Sequence, residues 1–250
     1  MLFAKVVLGL PIDGPFDYIV PFDLENKISV GTRAWVNFRN KKEVAYVVGL
    51  SDKTRIKKLK EISSLIDVAP VLDGRMLLLT KQLADYYCAS WGEVIETALP
   101  DELRKGKIKG DGSIFPSRHA RESGHLDSRL RGNDNIKLEP SPFIFLQGQN
   151  RMPVYLREIK EALAAKQSAI ILFSDISAVE RAGEIIQKSL GIEAFVVFRK
   201  QPKELEIWEK IRQADHCVVV GTRSSIFSPV NNLGLIIIDE EEAQVYKQEQ

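Results

Sequence analysis

Residues 104–137, RKGKIKGDGSIFPSRHARESGHLDSRLRGNDNIK, divide the 250-residue chain in two. The stretch is rich in Gly, Ser and Arg and poor in apolar side chains, so it offers too little buried surface to offset the entropy of ordering it. It is expected to be a disordered, basic linker. Part of it, SRHARESGHLDSRLRGNDN, resembles translated palindromic repeats of bacterial genomes, as an insertion would. His119 and His125 lie within it without acidic or thiol companions, which argues against a metal site. The chain must therefore build its cores on either side. We expect three segments: a β-rich domain over 1–103, the connector over 104–141, and an α/β domain over 142–250.

The two flanks differ in period. Over 3–50, short Val- and Leu-rich runs alternate with turns. FAKVVLGL is followed by a turn cluster at Pro11, Asp13, Gly14 and Pro15, then by FDYIV, with breaks at Asn26-Lys27 and Gly31. TRAWVNF and EVAYVVGL flank Arg39-Asn40-Lys41-Lys42 and read as a hairpin. A small, bent, OB-like sheet or barrel is expected. Residues 73–90 change to a helical period, with Met76, Leu79, Leu83 and Tyr87 as the apolar stripe, Asp73 as N-cap and Trp91-Gly92 as the stop. From Pro142, strands alternate with helices: FIFLQG, VYLREIKEALAA, SAIILFS, AVERAGEIIQKSLG, EAFVVF, KELEIWEKIRQA, DHCVVVGT and NLGLIIIDEEE. That alternation predicts a three-layer α/β domain with a mainly parallel sheet.

Charge is unevenly distributed. The formal net charge is only +1, yet residues 33–60 hold nine Lys/Arg against Glu43 and Asp52, a local +7. Such a stripe suits a phosphate backbone, though a solvated face has the same composition. Cys88 and Cys217 form no CxxC pair, which excludes a zinc site of the usual spacing and predicts two buried free thiols. No apolar run reaches the length of a membrane helix, and the start lacks a signal-peptide n-region, so a cytoplasmic protein without membrane contact is expected.

LGLIIIDEEE places Asp239 and Glu240 at the end of an apolar strand. This is the arrangement in which an Asp holds Mg²⁺ and a Glu positions the attacking water in ATPases. Taken alone, acidic residues after a strand are common.

The longer stretch GTRSSIFSPVNNLGLIIIDEEEAQVYKQE resembles the helicase core of the primosomal protein N′ (PriA) family, which typically reads GTRSA-F-P-NLGLIIVDEEH-SYKQ. Gly221 to Ser224, Phe227, Pro229, Asn232 to Leu235, Asp239 to Glu241 and Tyr246 to Gln248 match, whereas Glu242 replaces the family's His. LPIDGPFDYIVP, VGTRAWVNF and ADYYCASWGEVIETALPDELR resemble the family's N-terminal domain.

The resemblance implies an OB-like module that captures a 3′ DNA end, followed by a P-loop-NTPase-like (RecA-like) lobe. By position, Phe16, Asp17 and Tyr18 correspond to the 3′-end pocket. The rings could stack on a base and the carboxylate could accept from a sugar hydroxyl; without the resemblance they read as ordinary strand residues. Arg39, Lys41, Lys42 and Arg223 are further expected nucleic-acid contacts. The family's GVTGSGKTEVYL falls on LQGQNRMPVYL. Only Gly148 and Val154 to Leu156 persist, with Arg151 as the one residue able to touch a phosphate. A phosphate cradle needs glycine amides, a Lys and a Ser/Thr, and Pro153 has no N–H to give.

ATP and Mg²⁺ are the cofactors of the intact family; none is expected here, and Asp239 and Glu240 then remain as a degenerate catalytic pair. The winged-helix domain, second lobe, arginine finger and zinc insert of the family are not recognisable. Three functions stay open: a DNA-binding replication-restart protein recognising stalled forks and 3′ ends without ATPase; an active ATP-dependent 3′-to-5′ helicase; and a decayed fragment with a structural or interaction role. Forked DNA, single-stranded-DNA-binding protein and other primosome proteins are the partners the resemblance implies.

Overall fold

The computed structural model describes residues 1–106 and 150–243, so Gly148, the strand expected at FIFLQG, Tyr246 to Gln248 and nearly all of the expected linker lie outside the described residues. The chain divides into two compact units between Gly132 and Asn133.

In the first unit, five strands, β1 (Phe3–Leu8), β2 (Phe16–Ile19), β3 (Arg33–Phe38), β4 (Lys41–Ser51) and β5 (Ile62–Leu65), form one antiparallel sheet in the order β2-β1-β4-β3-β5. Period-two alternation turns Ala4, Val6 and Leu8 of β1, Ala34 and Val36 of β3, and Ala45 and Val47 of β4 into one core with Tyr18 and Ile62. The two edges meet. Ile19 bridges Glu61 just ahead of β5, and the Ile19 N–H donates to the Lys60 carbonyl at 3.0 Å. The sheet curls into an OB-like half-barrel whose edges are thereby covered. The expected hairpin is present, and its turn is tighter than the sequence suggested: Phe38 pairs with Lys41, and Arg39 and Asn40 alone make the turn, both at positive φ. Gly31, at φ +90°, has no alternative residue, because a Cβ there would collide with the Leu72 carbonyl.

Three helices follow, α1 (Gly74–Tyr87), α2 (Trp91–Ala98) and α3 (Asp101–Arg104). Asp73 caps α1 as expected, accepting from the Met76 N–H at 2.8 Å. The buried face is not the expected one. Leu77, Thr80 and Ala84 face inward, while Leu79 and Tyr87 are exposed. The stripe is turned by about one residue because Thr80, a polar residue, is satisfied inside: its hydroxyl donates to the Met76 carbonyl and accepts from the Trp91 indole N–H at 3.1 Å. Trp91 does not end the helical region either. It opens α2, which Ser90 caps: Ser90 Oγ accepts from the Glu93 N–H and lies 2.8 Å from Glu93 Oε2.

The second unit interleaves α4 (Met152–Ala164), β6 (Ser168–Leu172), α5 (Ile176–Leu190), β7 (Ala194–Val197), α6 (Glu204–Gln213), β8 (Val218–Gly221) and β9 (Leu233–Ile238). The sheet is wholly parallel among the described residues, in the order β7-β8-β6-β9. β6 and β8 are apolar on both faces, as a covered parallel sheet requires. Ala169, Ile171, Val218 and Val220 pack with Tyr155 and Ile159 of α4 and Val179 and Ile186 of α5. Ile170, Leu172 and Val219 pack with Ile211 of α6. The result is the expected three-layer α/β arrangement.

The two thiols differ from expectation. Cys217 is buried just before β8, and burial pushes its thiol up to about 11. Cys88 is exposed, because it is the left-handed C-cap of α1, where the backbone turns away from the core.

Candidate nucleic-acid interface

The seam where the half-barrel edges meet gathers polar groups from three distant parts of the first unit. Alternation along β2 sends Phe16 and Tyr18 to the core side and Asp17 to the other. Phe16 is half-buried and leans on Phe38, with ring centroids 5.3 Å apart and a 52° tilt. Asp17 Oδ2 accepts from the Thr54 hydroxyl at 2.6 Å, which ties β2 to the Lys/Arg-rich loop between β4 and β5. Tyr18 is buried; its hydroxyl donates to the Asn37 carbonyl at 3.2 Å, and burial raises its pKa. Lys60 Nζ donates to Asn37 Oδ1 at 3.1 Å. Asp17, Thr54, Asn37 and Lys60 thus lie around one seam, while the Phe16 ring packs on Phe38 from the core side of β2. Tyr18 supports this seam from beneath through its hydroxyl, and its ring belongs to the core.

The basic stripe separates into two classes. Arg33 is fully buried: it makes a two-pronged pair with Asp67, Nε to Oδ2 at 2.9 Å and a second prong at 2.6 Å, and also donates to the Leu103 carbonyl. It ties β3 to the segment after β5 and to α3, and is a structural ion pair rather than part of the surface charge. Arg39, Lys41 and Lys42 are exposed at the hairpin tip, Arg39 5.5 Å from the Phe38 ring and Lys42 4.5 Å from the Trp35 ring. Thr54 and Asn37 carried no sequence signal. Neither type stands out, and the loop containing Thr54 is placed by the closure of the sheet.

In the second unit, Asp239 follows β9 at the carboxyl ends of the parallel strands, where ligands sit in open α/β sheets; its N–H donates to the Leu172 carbonyl at 2.8 Å. Two groups already occupy its carboxylate. Tyr155 donates its hydroxyl to Oδ1 at 2.8 Å, and the Arg151 guanidinium lies 3.2 Å from the same oxygen. Burial and the hydrogen bond to Asp239 push the Tyr155 phenol up to about 12. Glu240, at φ 51°, accepts from the Ser174 hydroxyl at 3.0 Å. Arg151 and Pro153 stand at the start of α4. Arg223 is exposed on the 3₁₀ turn after β8. No group of three or more His, Cys, Asp or Glu able to hold a metal occurs among the described residues, and none of their helices is long and apolar enough to cross a membrane.

Residues 5–100 match the family model of the PriA 3′DNA-binding domain (3′BD). The replication restart protein PriA of Haemophilus influenzae is 24% identical over 333 aligned residues, covering 100% of this chain and 45% of the relative. That of Rickettsia conorii is 26% identical over 258 residues, covering 100% of this chain and 39% of the relative. The Bacillus subtilis protein is 35% identical over 105 residues, 41% of this chain and 13% of its own length. The chain therefore spans about two fifths of the length of the first two relatives, 45% and 39%. The half-barrel is thus similar to the PriA 3′DNA-binding domain, and the half-barrel and α/β unit together align with PriA proteins over the whole chain.

Proposed function

We propose that this protein is a DNA-binding factor of replication restart that recognises stalled forks through the 3′ end of a strand, and that it does so without hydrolysing ATP. The observation carrying this reading is the convergence of Asp17, Thr54, Asn37 and Lys60 at the seam of the half-barrel, inside the segment matched by the 3′DNA-binding domain model. A terminal 3′-hydroxyl is a donor that Asp17 can accept, the Lys60 ammonium can face the last phosphate, and the half-buried Phe16 ring offers an edge to the terminal base. We read residues 1–103 as the DNA module and 142–250 as a helicase-like lobe, with exposed Arg39, Lys41, Lys42 and Arg223 as backbone contacts. Single-stranded-DNA-binding protein and other primosome proteins are the proposed partners, in the cytoplasm beside the chromosome.

The reading without ATPase rests on Arg151. A Walker-type Asp must offer its oxygens to a hydrated Mg²⁺, and here a guanidinium and a phenol hold Oδ1. With Pro153 in place of an amide donor, these residues do not fit a magnesium nucleotide.

Two measurements test the proposal. Fluorescence anisotropy with forked DNA should show tighter binding to a free 3′-OH than to a blocked one, and Asp17→Asn should remove that difference; equal, weak binding to both forks by the unaltered chain would refute it. Phosphate release in the presence of fork DNA should stay at background. Turnover abolished by Asp239→Ala would instead establish an ATPase.

A further inference from the structure

A second concave feature of the first unit lies at the other end of the same hairpin face. It is a cleft of about 270 Å³ lined by Trp35, Lys42, Glu43, Glu96, Arg104 and Lys105, together with the segment from Leu8 to Leu10. Its lining comes from β1, the β3–β4 hairpin, α2 and the end of α3.

Register connects this cleft to the seam. Asn37 pairs with Lys42 across the hairpin and Trp35 pairs with Val44. Directly paired residues share a face, as do alternate residues of one strand, so Trp35, Asn37 and Lys42 lie on one side of the ribbon. Asn37 receives Lys60 Nζ at 3.1 Å at the seam, and Lys42 Nζ lies 4.5 Å from the Trp35 ring at the cleft. A row of Lys60, Asn37, Lys42 and Trp35 thus leads from Asp17 to Arg104 and Lys105 without leaving that face.

The exposed charges along this row, Lys60, Lys42 and Lys105, are all cationic. Lys42 and Lys105 are the exposed groups, whereas Glu43 and Glu96 are half-buried. The Glu96 carboxylate lies so close over Gly9 that a Cβ there would collide with it, which keeps it low in the cleft. Asp101 pairs with Arg104 and Lys105 only at 3.5 Å, at a partly solvated site where such pairs contribute little. Lys42 has no ion pair among the described residues; its ammonium is placed by the ring beneath it.

We infer that the Trp35–Lys42–Arg104–Lys105 cleft is a second nucleic-acid subsite, holding the phosphodiester backbone of the strand whose 3′ end lies at Asp17, a few nucleotides back from that end. The inference rests on the 3′-end reading above and adds to it a polarity: the strand enters over α3 and the hairpin and terminates at the seam.

The test is anisotropy on the full chain with two single strands bearing a free 3′-OH, a dinucleotide and an oligonucleotide of about ten nucleotides, a length within the span of one OB-type module. Substituting Lys42→Ala together with Lys105→Ala removes two exposed cations, and an unchanged thermal melt confirms the fold. The loss of affinity should grow with strand length, small on the dinucleotide and several-fold on the longer strand. The slope of log affinity against log salt for the longer strand should shallow by about 1.4, or about 0.7 for each single-strand phosphate no longer neutralised. An unaltered slope, or equal losses at both lengths, would overturn the subsite. Failure of the underlying 3′-end reading gives a different signature: the unaltered chain would bind free and blocked dinucleotides alike.

Discussion

The two units each contain an Arg–Asp pair, and the pairs serve opposite ends. In the half-barrel, Arg33 and Asp67 are both wholly buried, whereas Lys41, Lys42 and the lysines and arginine of the 53–60 loop stay on the surface. In the α/β unit, Arg151 and Asp239 are partly exposed, at 29% and 16%, and stand where a ligand would bind. One pair organises a core beneath a site; the other fills a site. Charge composition alone therefore does not tell an available cation from a consumed one. The first unit leaves most of its cations exposed, while the second applies Arg151 to its own carboxylate.

The comparison breaks most visibly by removing one partner of the buried pair. Asp67→Ala should destabilise the first unit by about 3–5 kcal/mol, because it leaves the Arg33 guanidinium buried without a counter-charge. Thermal unfolding followed by circular dichroism should show that loss, and a melt shifted only slightly would mean water reaches Arg33. Next in size is Thr80→Val, which orphans the Trp91 indole N–H between α1 and α2 and should cost about 1–3 kcal/mol in the same assay.

Tyr155→Phe sharpens the contrast within the second unit. It removes one donor to Asp239 and should cost about 1 kcal/mol near neutrality. The pH dependence follows from the phenol standing at about 12 in the fold against an ordinary 10.0. Below 10 both states keep the proton, so the difference between wild type and Tyr155→Phe is constant. From 10 to about 12 only the unfolded state ionises, so the wild type should lose stability relative to the variant as pH rises through that window. A parallel pair of stability curves there would contradict the Tyr155–Asp239 bond. The smallest effect is expected for Arg151→Ala, at most about 1 kcal/mol, since the pair is partly solvated. If it proved as costly as Asp67→Ala, the distinction between the two pairs would disappear.

Much of this architecture is legible locally. The alternation of Ala4, Val6 and Leu8, the hairpin around Arg39-Asn40-Lys41-Lys42, the Asp73 cap, and the regular succession of helix and strand after residue 150 all follow from neighbours in sequence. The α1 face is not, because burying Thr80 rather than Leu79 depends on a hydrogen bond from Trp91 on the next helix. The start of α2 is written in Ser90 and Glu93, which carry the spacing of a capping box, although Trp91-Gly92 between them looks like a stop. Of the site, Asp17 stands out by type, whereas Thr54 lies 37 residues away and becomes its partner only when the sheet closes.

The sequence by itself determined that two cores form, which period each uses, that Asp239 ends an apolar strand, and that no lysine or glycine-rich cradle stands at 150–156. These follow from side-chain periodicity and from backbone groups that a residue type has or lacks. Only the tertiary structure decided that Arg33 turns inward to Asp67, that the basic loop is tied to Asp17, and that Arg151 and Tyr155 hold Asp239, the last bond spanning 84 residues. A charged side chain takes the partner that the fold brings within about 4 Å, and that choice is made by packing between distant segments.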